Sequence, residues 1–272
     1  MKHFSLTSFN RTSNYDELIV PLLRRMINLE GLKLFLLIIR ANSIFVDGIQ
    51  LNDEIVVHMP RLKKFYFSID TALLNTTIKL DLRSDEDIQH TFIGKKYGQV
   101  GSNDGPTRIE VGASRCHIYS LPYRFKWWHY LNNSFKGGTF SNVRELLIVD
   151  IHPFEHNFFK VISQDFPFLR SLSIINTRRQ RDKQPSTSII FPHLICLHLT
   201  TIHVNYAEQF LLNRNTHLPS LVDLSISYKL LANVTDNFTN DAARFNCMRV
   251  RDLTIFEPFV RPKNFDEYFA LL

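Results

Sequence analysis

Phe166-Pro167-Phe168-Leu169-Arg170-Ser171-Leu172-Ser173-Ile174 decides how this chain is read, because the same phrase returns three more times. Phe191-Pro192-His193-Leu194-Ile195-Cys196-Leu197-His198-Leu199 repeats it. So do Leu218-Pro219-Ser220-Leu221-Val222-Asp223-Leu224-Ser225-Ile226 and Met59-Pro60-Arg61-Leu62-Lys63-Lys64-Phe65-Tyr66-Phe67. The shared form is apolar-Pro-x-Leu-x-x-Leu-x-apolar. Three further stretches keep the apolar positions without the proline: Leu29/Leu32/Leu34, Val143/Leu146/Ile148 and Val250/Leu253/Ile255. Positions 143, 169, 194, 221 and 250 lie 26, 25, 27 and 29 residues apart, and 29 to 62 is 33.

A phrase of this kind at a period of ~20–29 residues is the signature of leucine-rich repeats. In each copy the last residues form a short strand whose side chains alternate between faces. Two apolar residues point inward and the residues between them point out. The proline stands at the strand entry, where it stops a preceding helix and needs no ladder hydrogen bond. Helical signals fill the intervals. Asn14 with Glu17 reads as an N-cap and capping-box partner ahead of Leu18, Leu22 and Met26, with Pro21 kinking that helix. Phe158, Phe159 and Ile162 make an apolar face, as do Phe210 and Leu211, and Asn264 with Glu267 opens a last helix. The expectation is an α/β leucine-rich-repeat solenoid, a horseshoe with parallel strands on the concave side and helices on the convex side. The competing architecture is a doubly wound α/β domain, which would not repeat one nine-residue phrase at a steady period.

The series is interrupted once. From 62 to 143 is 81 residues, three periods of 27, with no clean copy. An irregular insert near 70–140 is expected there: two degenerate repeats, strands at Ile78–Leu82 and Cys116–Ser120, a helix start at Ser84 with Asp87, and an inserted loop from Gly94 to Gly112. The whole of 1–272 is read as one repeat domain. Met1, Phe4 and Leu6 share the repeat spacing and the chain stops after a helix, so it is expected to be part of a longer array.

Composition narrows the function classes. Of 272 residues, 44% are hydrophobic and 21% charged, which suits a folded globular chain. Glycine is scarce, 9 in 272, against a typical ~7%, which disfavours folds built on glycine-rich phosphate loops. The net charge is 32 − 26 = +6, too weak to argue for nucleic-acid binding by itself. Three cysteines, Cys116, Cys196 and Cys247, are no disulfide framework and fit a reducing compartment. The N-terminus lacks an apolar signal segment, and the longest apolar run, Leu34–Ile39, is far short of the ~20 residues a membrane span needs. Sequons at Asn10, Asn75, Asn132, Asn233 and Asn237 are then chance occurrences, and a cytoplasmic or nuclear protein is expected.

Catalytic motifs are missing: no GxGxxG, P-loop, HExxH or GxSxG, and no nucleophile–base pair can be placed. An enzyme is not expected, and neither is a cofactor. His193, Cys196, His198 and His203 lack the paired spacing of zinc ligands; Cys196 and His198 alternate with leucines as outward strand residues. Arg124–Tyr130 interleaves basic and aromatic residues as a nucleic-acid stacking site would, but packing explains it better. Arg178–Lys183 reads as a solvated polar loop that could touch an acidic partner. What the repeats do supply is a face. Its first row is Gly31, Lys64, Glu145, Ser171, Cys196, Asp223 and Asp252; its second is Lys33, Tyr66, Leu147, Ser173, His198, Ser225 and Thr254. Lysines stand at one end and aspartates at the other, which suits a protein ligand on the concave face.

The phrases Met59-Pro60-Arg61-Leu62, Gln164-Asp165-Phe166-Pro167-Phe168-Leu169, Phe191-Pro192-His193-Leu194 and Phe259-Val260-Arg261-Pro262 resemble the leucine-rich-repeat portion of F-box proteins. That resemblance implies the substrate-recognition part of a cullin-type ubiquitin ligase, with an F-box outside this chain docking on the cullin-linked adaptor. The alternative is a free-standing leucine-rich-repeat scaffold with no ligase link.

Overall fold

The structure is a computed structural model that describes residues 2–41, 44–74, 85–94, 98–106, 114–181 and 187–272. Strands and helices alternate in an α/β arrangement, and the chain divides into two compact units, Met1–Phe125 and Lys126–Leu272. The expected strand at Ile78–Leu82 and the Ser84 cap lie outside the described residues.

The second unit is built on one sheet of six strands, all parallel: β6 (Trp127–Leu131), β7 (Glu145–Val149), β8 (Ser171–Asn176), β10 (Cys196–Ile202), β12 (Asp223–Ile226) and β13 (Asp252–Thr254), in that spatial order. Leu172 and Leu224 are the register partners of Leu197 on its two sides. The repeating phrase therefore stacks on itself. Leu146, Leu172, Leu197 and Leu224 are all buried, as are Ile148, Ile174, Leu199 and Ile226 two residues on. α4 (His156–Asp165) buries Phe159 and Ile162, and α5 (Val204–Leu211) buries Tyr206, Phe210 and Leu211. A two-stranded pair, β9 (Ile189–Ile190) and β11 (Thr216–His217), lies between these segments. α6 (Tyr228–Val234), α7 (Asp241–Cys247) and α8 (Phe265–Tyr268) follow.

The apolar-Pro-x-Leu phrase folds as a turn. In all seven copies the N–H of the fourth residue donates to the C=O of the first. The bonds are Leu29 to Met26, Leu62 to Met59, Val143 to Phe140, Leu169 to Phe166, Leu194 to Phe191, Leu221 to Leu218 and Val250 to Cys247, at 3.0–3.4 Å. Proline fits because its fixed φ is preset for the second position of such a turn. After the turn, one carbonyl of each strand entry accepts two N–H groups from the next. Arg144 C=O takes those of Arg170 and Ser171, and Arg170 C=O takes those of Ile195 and Cys196. Strand exits repeat as well. Asn132, Asp150 and Asn176 are buried, and their side chains accept from the N–H two residues on, in Ser134, His152 and Arg178. This local side-chain turn satisfies the backbone as it leaves the sheet.

The first unit departs from this regularity. β1 (His3–Thr12), β2 (Gly31–Ala41) and β3 (Lys64–Leu74) are parallel, but β3 then pairs with β5 (Ser114–Ser120) antiparallel, and β5 with β4 (Val100–Pro106) likewise. The sheet is mixed where further parallel repeats were expected, and part of the Gly94–Gly112 loop is strand β4. β2 and β3 run 11 residues each, longer than any strand of the second unit. The antiparallel strand β5 pairs with Ser68–Leu73, the far half of β3. α2 (Gly48–Glu54) and α3 (Asp85–His90) place Leu51 and Ile88 in the core against Leu34, Leu36, Phe67 and Ile118.

The N-terminal helical segment turns out differently from its periodicity. Leu18 is 61% exposed and Leu22 45%, while Tyr15, Val20 and Leu23 are buried. The segment opens with a wide turn in which Ile19 N–H reaches back to Asn14 C=O, and Asn14 makes no side-chain cap. That wide turn shifts the helical phase. Pro21 then stands in the first turn of α1 (Val20–Arg24), where its missing N–H costs nothing, and kinks no helix.

Candidate interaction face

In the second unit, alternation lifts one row of side chains from each strand. Glu145, Ser171, Cys196, Asp223 and Asp252 are in register across β7, β8, β10, β12 and β13. One step along, Leu147, Ser173, His198, Ser225 and Thr254 form a second row. Glu145, Asp252 and Thr254 are exposed, Ser225 is buried, and the others are half-buried. His198 Nδ1 lies 3.0 Å from Ser225 Oγ. Sequence reasoning missed Trp127, which is the register partner of Glu145 and extends the first row. Its alternation with buried Trp128 carried the signal.

The electrostatics of the first row centre on Cys196. Burial pushes its thiol up, and Asp223, which also accepts its hydrogen bond, Glu145 and Asp252 push it further. Cys196 is thus a neutral thiol, a weak nucleophile. Three carboxylates act on one half-buried atom. Among the described residues, none of the three pairs with a lysine or arginine. Asp223 and Asp252 are direct cross-strand partners, and adjacent strands lie ~4.8 Å apart, so like charges face each other at a separation where repulsion is destabilising.

The first-unit members of the two rows are also in register: Gly31 with Lys64, and Lys33 with Tyr66. Their surroundings differ. The segment after β5 folds over this face. Lys33 Nζ donates to Arg124 C=O at 3.0 Å and lies 4.7 Å from the centre of the Phe125 ring. The Arg124 guanidinium lies over Tyr66, and Phe125 packs on Phe35. Deeper along the strands, Asp70 is buried with Arg115 and Arg11, the latter at 3.2 Å. Burial alone would raise the Asp70 carboxyl, but the two guanidiniums outweigh it and hold it below the usual carboxylate range. Ser68 Oγ lies 2.8 Å from His117 Nε2 and 3.1 Å from the Tyr123 hydroxyl. This serine–histidine pair was not legible in the sequence. Both side chains are buried, 3% and 2% exposed, so the pair ties β3 to β5 and presents no reactive atom at a surface.

The other candidate clusters are used locally. His203 caps α5 by accepting from Asn205 N–H, and His193 stacks on Phe168. No group of three metal-ligating side chains is found among the described residues. Trp128 is fully buried, edge-on to Phe140 and Phe166. In the Arg178–Lys183 stretch, Gln180 donates to Phe154 C=O and Arg181 N–H to Glu155; positions 182–186 lie outside the described residues. Among the described residues no helix is long and apolar enough to cross a membrane. Comparison with protein-family models, with curated proteins and with solved structures finds no match for this chain.

Proposed function

We propose that this chain is a protein-interaction module of the leucine-rich-repeat type, its strands lining the hollow of a horseshoe. The open face of the six-stranded sheet holds a partner segment that carries lysine or arginine. The observation that carries this reading is the first row, in which Glu145, Asp223 and Asp252 converge on Cys196 and, among the described residues, have no lysine or arginine partner. A surface that keeps like charges side by side is relieved when a cation docks between them. Exposed pairs are individually weak, at ~0–1 kcal/mol, so the row acts through register and electrostatic complementarity more than through any one contact. Half-buried Trp127 and Leu147 supply apolar area at the β6 and β7 end, the kind of aromatic anchor that interfaces favour.

The test is direct binding of the full chain to an array of 12-residue peptides with varied lysine and arginine content. Basic peptides are expected to bind, and Asp223→Asn with Asp252→Asn to weaken them at low salt. Binding that ignores peptide charge, or survives both substitutions, ends the proposal. The resemblance to F-box proteins supports a more specific role, in which the face holds the protein to be ubiquitinated by a cullin-linked ligase. Co-purification of the longest gene product with the adaptor and cullin tests that role. Failure there leaves a scaffold with the same face and removes the ligase.

A further inference from the structure

We propose that the second unit carries a peptide site separate from the acidic face: a groove between α4 and β9 that takes an extended segment of apolar and acidic residues as an added strand. A cavity of about 410 Å³ opens there, within the ~300–1,000 Å³ usual for ligand sites. Lys160, Ser163 and Gln164 of α4 line it from one side, and residues 187–190, which run into β9, from the other.

The backbone of β9 is open on that side. Among the described residues β9 pairs with β11 alone. Ile189 N–H donates to Asn215 C=O at 3.0 Å, and Phe191 N–H to His217 C=O at 3.1 Å. Strand alternation turns the N–H and C=O of the residue between them, Ile190, away from β11. Neither group has a hydrogen-bond partner among the described residues. Ile190 lines the cavity and β11 does not, so this free N–H and C=O stand on the cavity side. An unpaired strand edge is a template for a further strand. The opposite wall is tied in place, because His156 Nε2 at the start of α4 donates to Thr187 C=O at 3.1 Å. The groove is therefore formed before anything enters it.

The side chains choose the occupant. Ile190 is 55% exposed and lines the cavity together with Pro167 and Pro192, which gives apolar area for one side chain of an incoming strand. The Ser163 and Ser188 hydroxyls already donate to Lys160 C=O and Asn213 C=O. Lys160 is the charged side chain among the described lining residues, and among the described residues it forms no salt bridge. A carboxylate on the incoming segment meets this lysine, and a basic segment is repelled by it. An exposed pair of this kind is weak, so backbone hydrogen bonds and the contact with Ile190 supply most of the affinity while Lys160 selects the sign of the charge.

The experiment is a backbone-amide NMR titration of the full chain with three capped eight-residue peptides, in which valine alternates with glutamate, serine or lysine. The valine–glutamate peptide is expected to give saturable shifts centred on Lys160, Gln164 and Ile190, with a Kd of about 1 mM or tighter and slower exchange of the Ile190 amide. The serine peptide is expected to bind about fivefold more weakly and the lysine peptide more weakly still. Ile190→Pro removes the open N–H and no ladder bond, and is expected to weaken binding more than tenfold; Ile190→Ala, which keeps the N–H, is expected to stay within about threefold. Lys160→Gln is expected to bring the glutamate peptide down to the level of the serine peptide, and this arm decides even if Ile190→Pro fails to fold. Asp223→Asn with Asp252→Asn is expected to change nothing here, which separates this site from the acidic face. Equal binding of the three peptides, full binding by Ile190→Pro, or shifts that follow protein concentration without peptide and so place a second copy in the groove would overturn the proposal.

Discussion

Replacing Leu197 with alanine tests the stacking of the repeat at its centre. Leu197 sits on β10 with Leu172 on one side and Leu224 on the other, all three fully buried. The substitution removes three carbons, which at ~0.8 kcal/mol per buried CH₂ is a transfer loss of ~2.4 kcal/mol. The cavity left behind adds to this, and measured Leu→Ala losses in comparable cores span ~2.7–5.0 kcal/mol. A loss of about 3 kcal/mol is expected. At ~2–4 °C per kcal/mol for a domain of this size, the melting point falls by ~6–12 °C. The informative control is Leu147→Ala, also a leucine on a parallel strand of the same sheet. Leu147 is in the outward second row and half-buried, so its truncation is expected to cost under ~1 kcal/mol. Denaturant titrations followed by circular dichroism measure both. A side-chain period of two means that a one-residue register error would exchange inside and outside. If Leu147→Ala cost as much as Leu197→Ala, the assignment of faces, and the rows built on it, would be wrong.

Asp70→Asn removes the buried carboxylate that Arg115 and Arg11 share and is expected to cost ~3–5 kcal/mol in a urea titration. Because the folded Asp70 carboxyl is held below its unfolded value of ~3.9, its stabilisation is present above that value and lost as pH falls through the depressed folded one. Unfolding monitored from pH 5 downward should therefore steepen below about pH 4 in the wild type and not in Asp70→Asn. Asp223→Asn removes the negative charge beside Cys196, so its thiol is expected to alkylate faster at pH 8; an unchanged iodoacetamide rate at Cys196 would contradict the electrostatic account. Trp128→Ala empties a fully buried site edge-on to Phe140 and Phe166 and is expected to cost ~3–5 kcal/mol by the same urea assay, whereas a loss under ~1 kcal/mol would contradict the packing role.

The repeated phrase, with its two proline-free copies, determined by itself where β7, β8, β10, β12 and β13 lie, which of their side chains point inward and which share a row, because strand alternation and turn chemistry are local; it did not mark β6. The Asn132, Asp150 and Asn176 exits were also local and went unread, since the phrase was followed into each strand and not out of it. The interval 62–143 carried no such phrase, and there the tertiary structure decided. β5 runs against β3 because backbone pairing across about 50 residues joins Ser68 to Tyr119 and Ile69 to Ile118, a contact with no sequence period to announce it. The same distance hid the Arg115–Asp70–Arg11 cluster and the Ser68–His117 pair, whose members are unremarkable until the sheet closes. It also hid the folding of Arg124 and Phe125 over Lys33 and Tyr66. Spacing shows which residues alternate along one strand; only the pairing of distant strands shows which charges meet and which faces remain open.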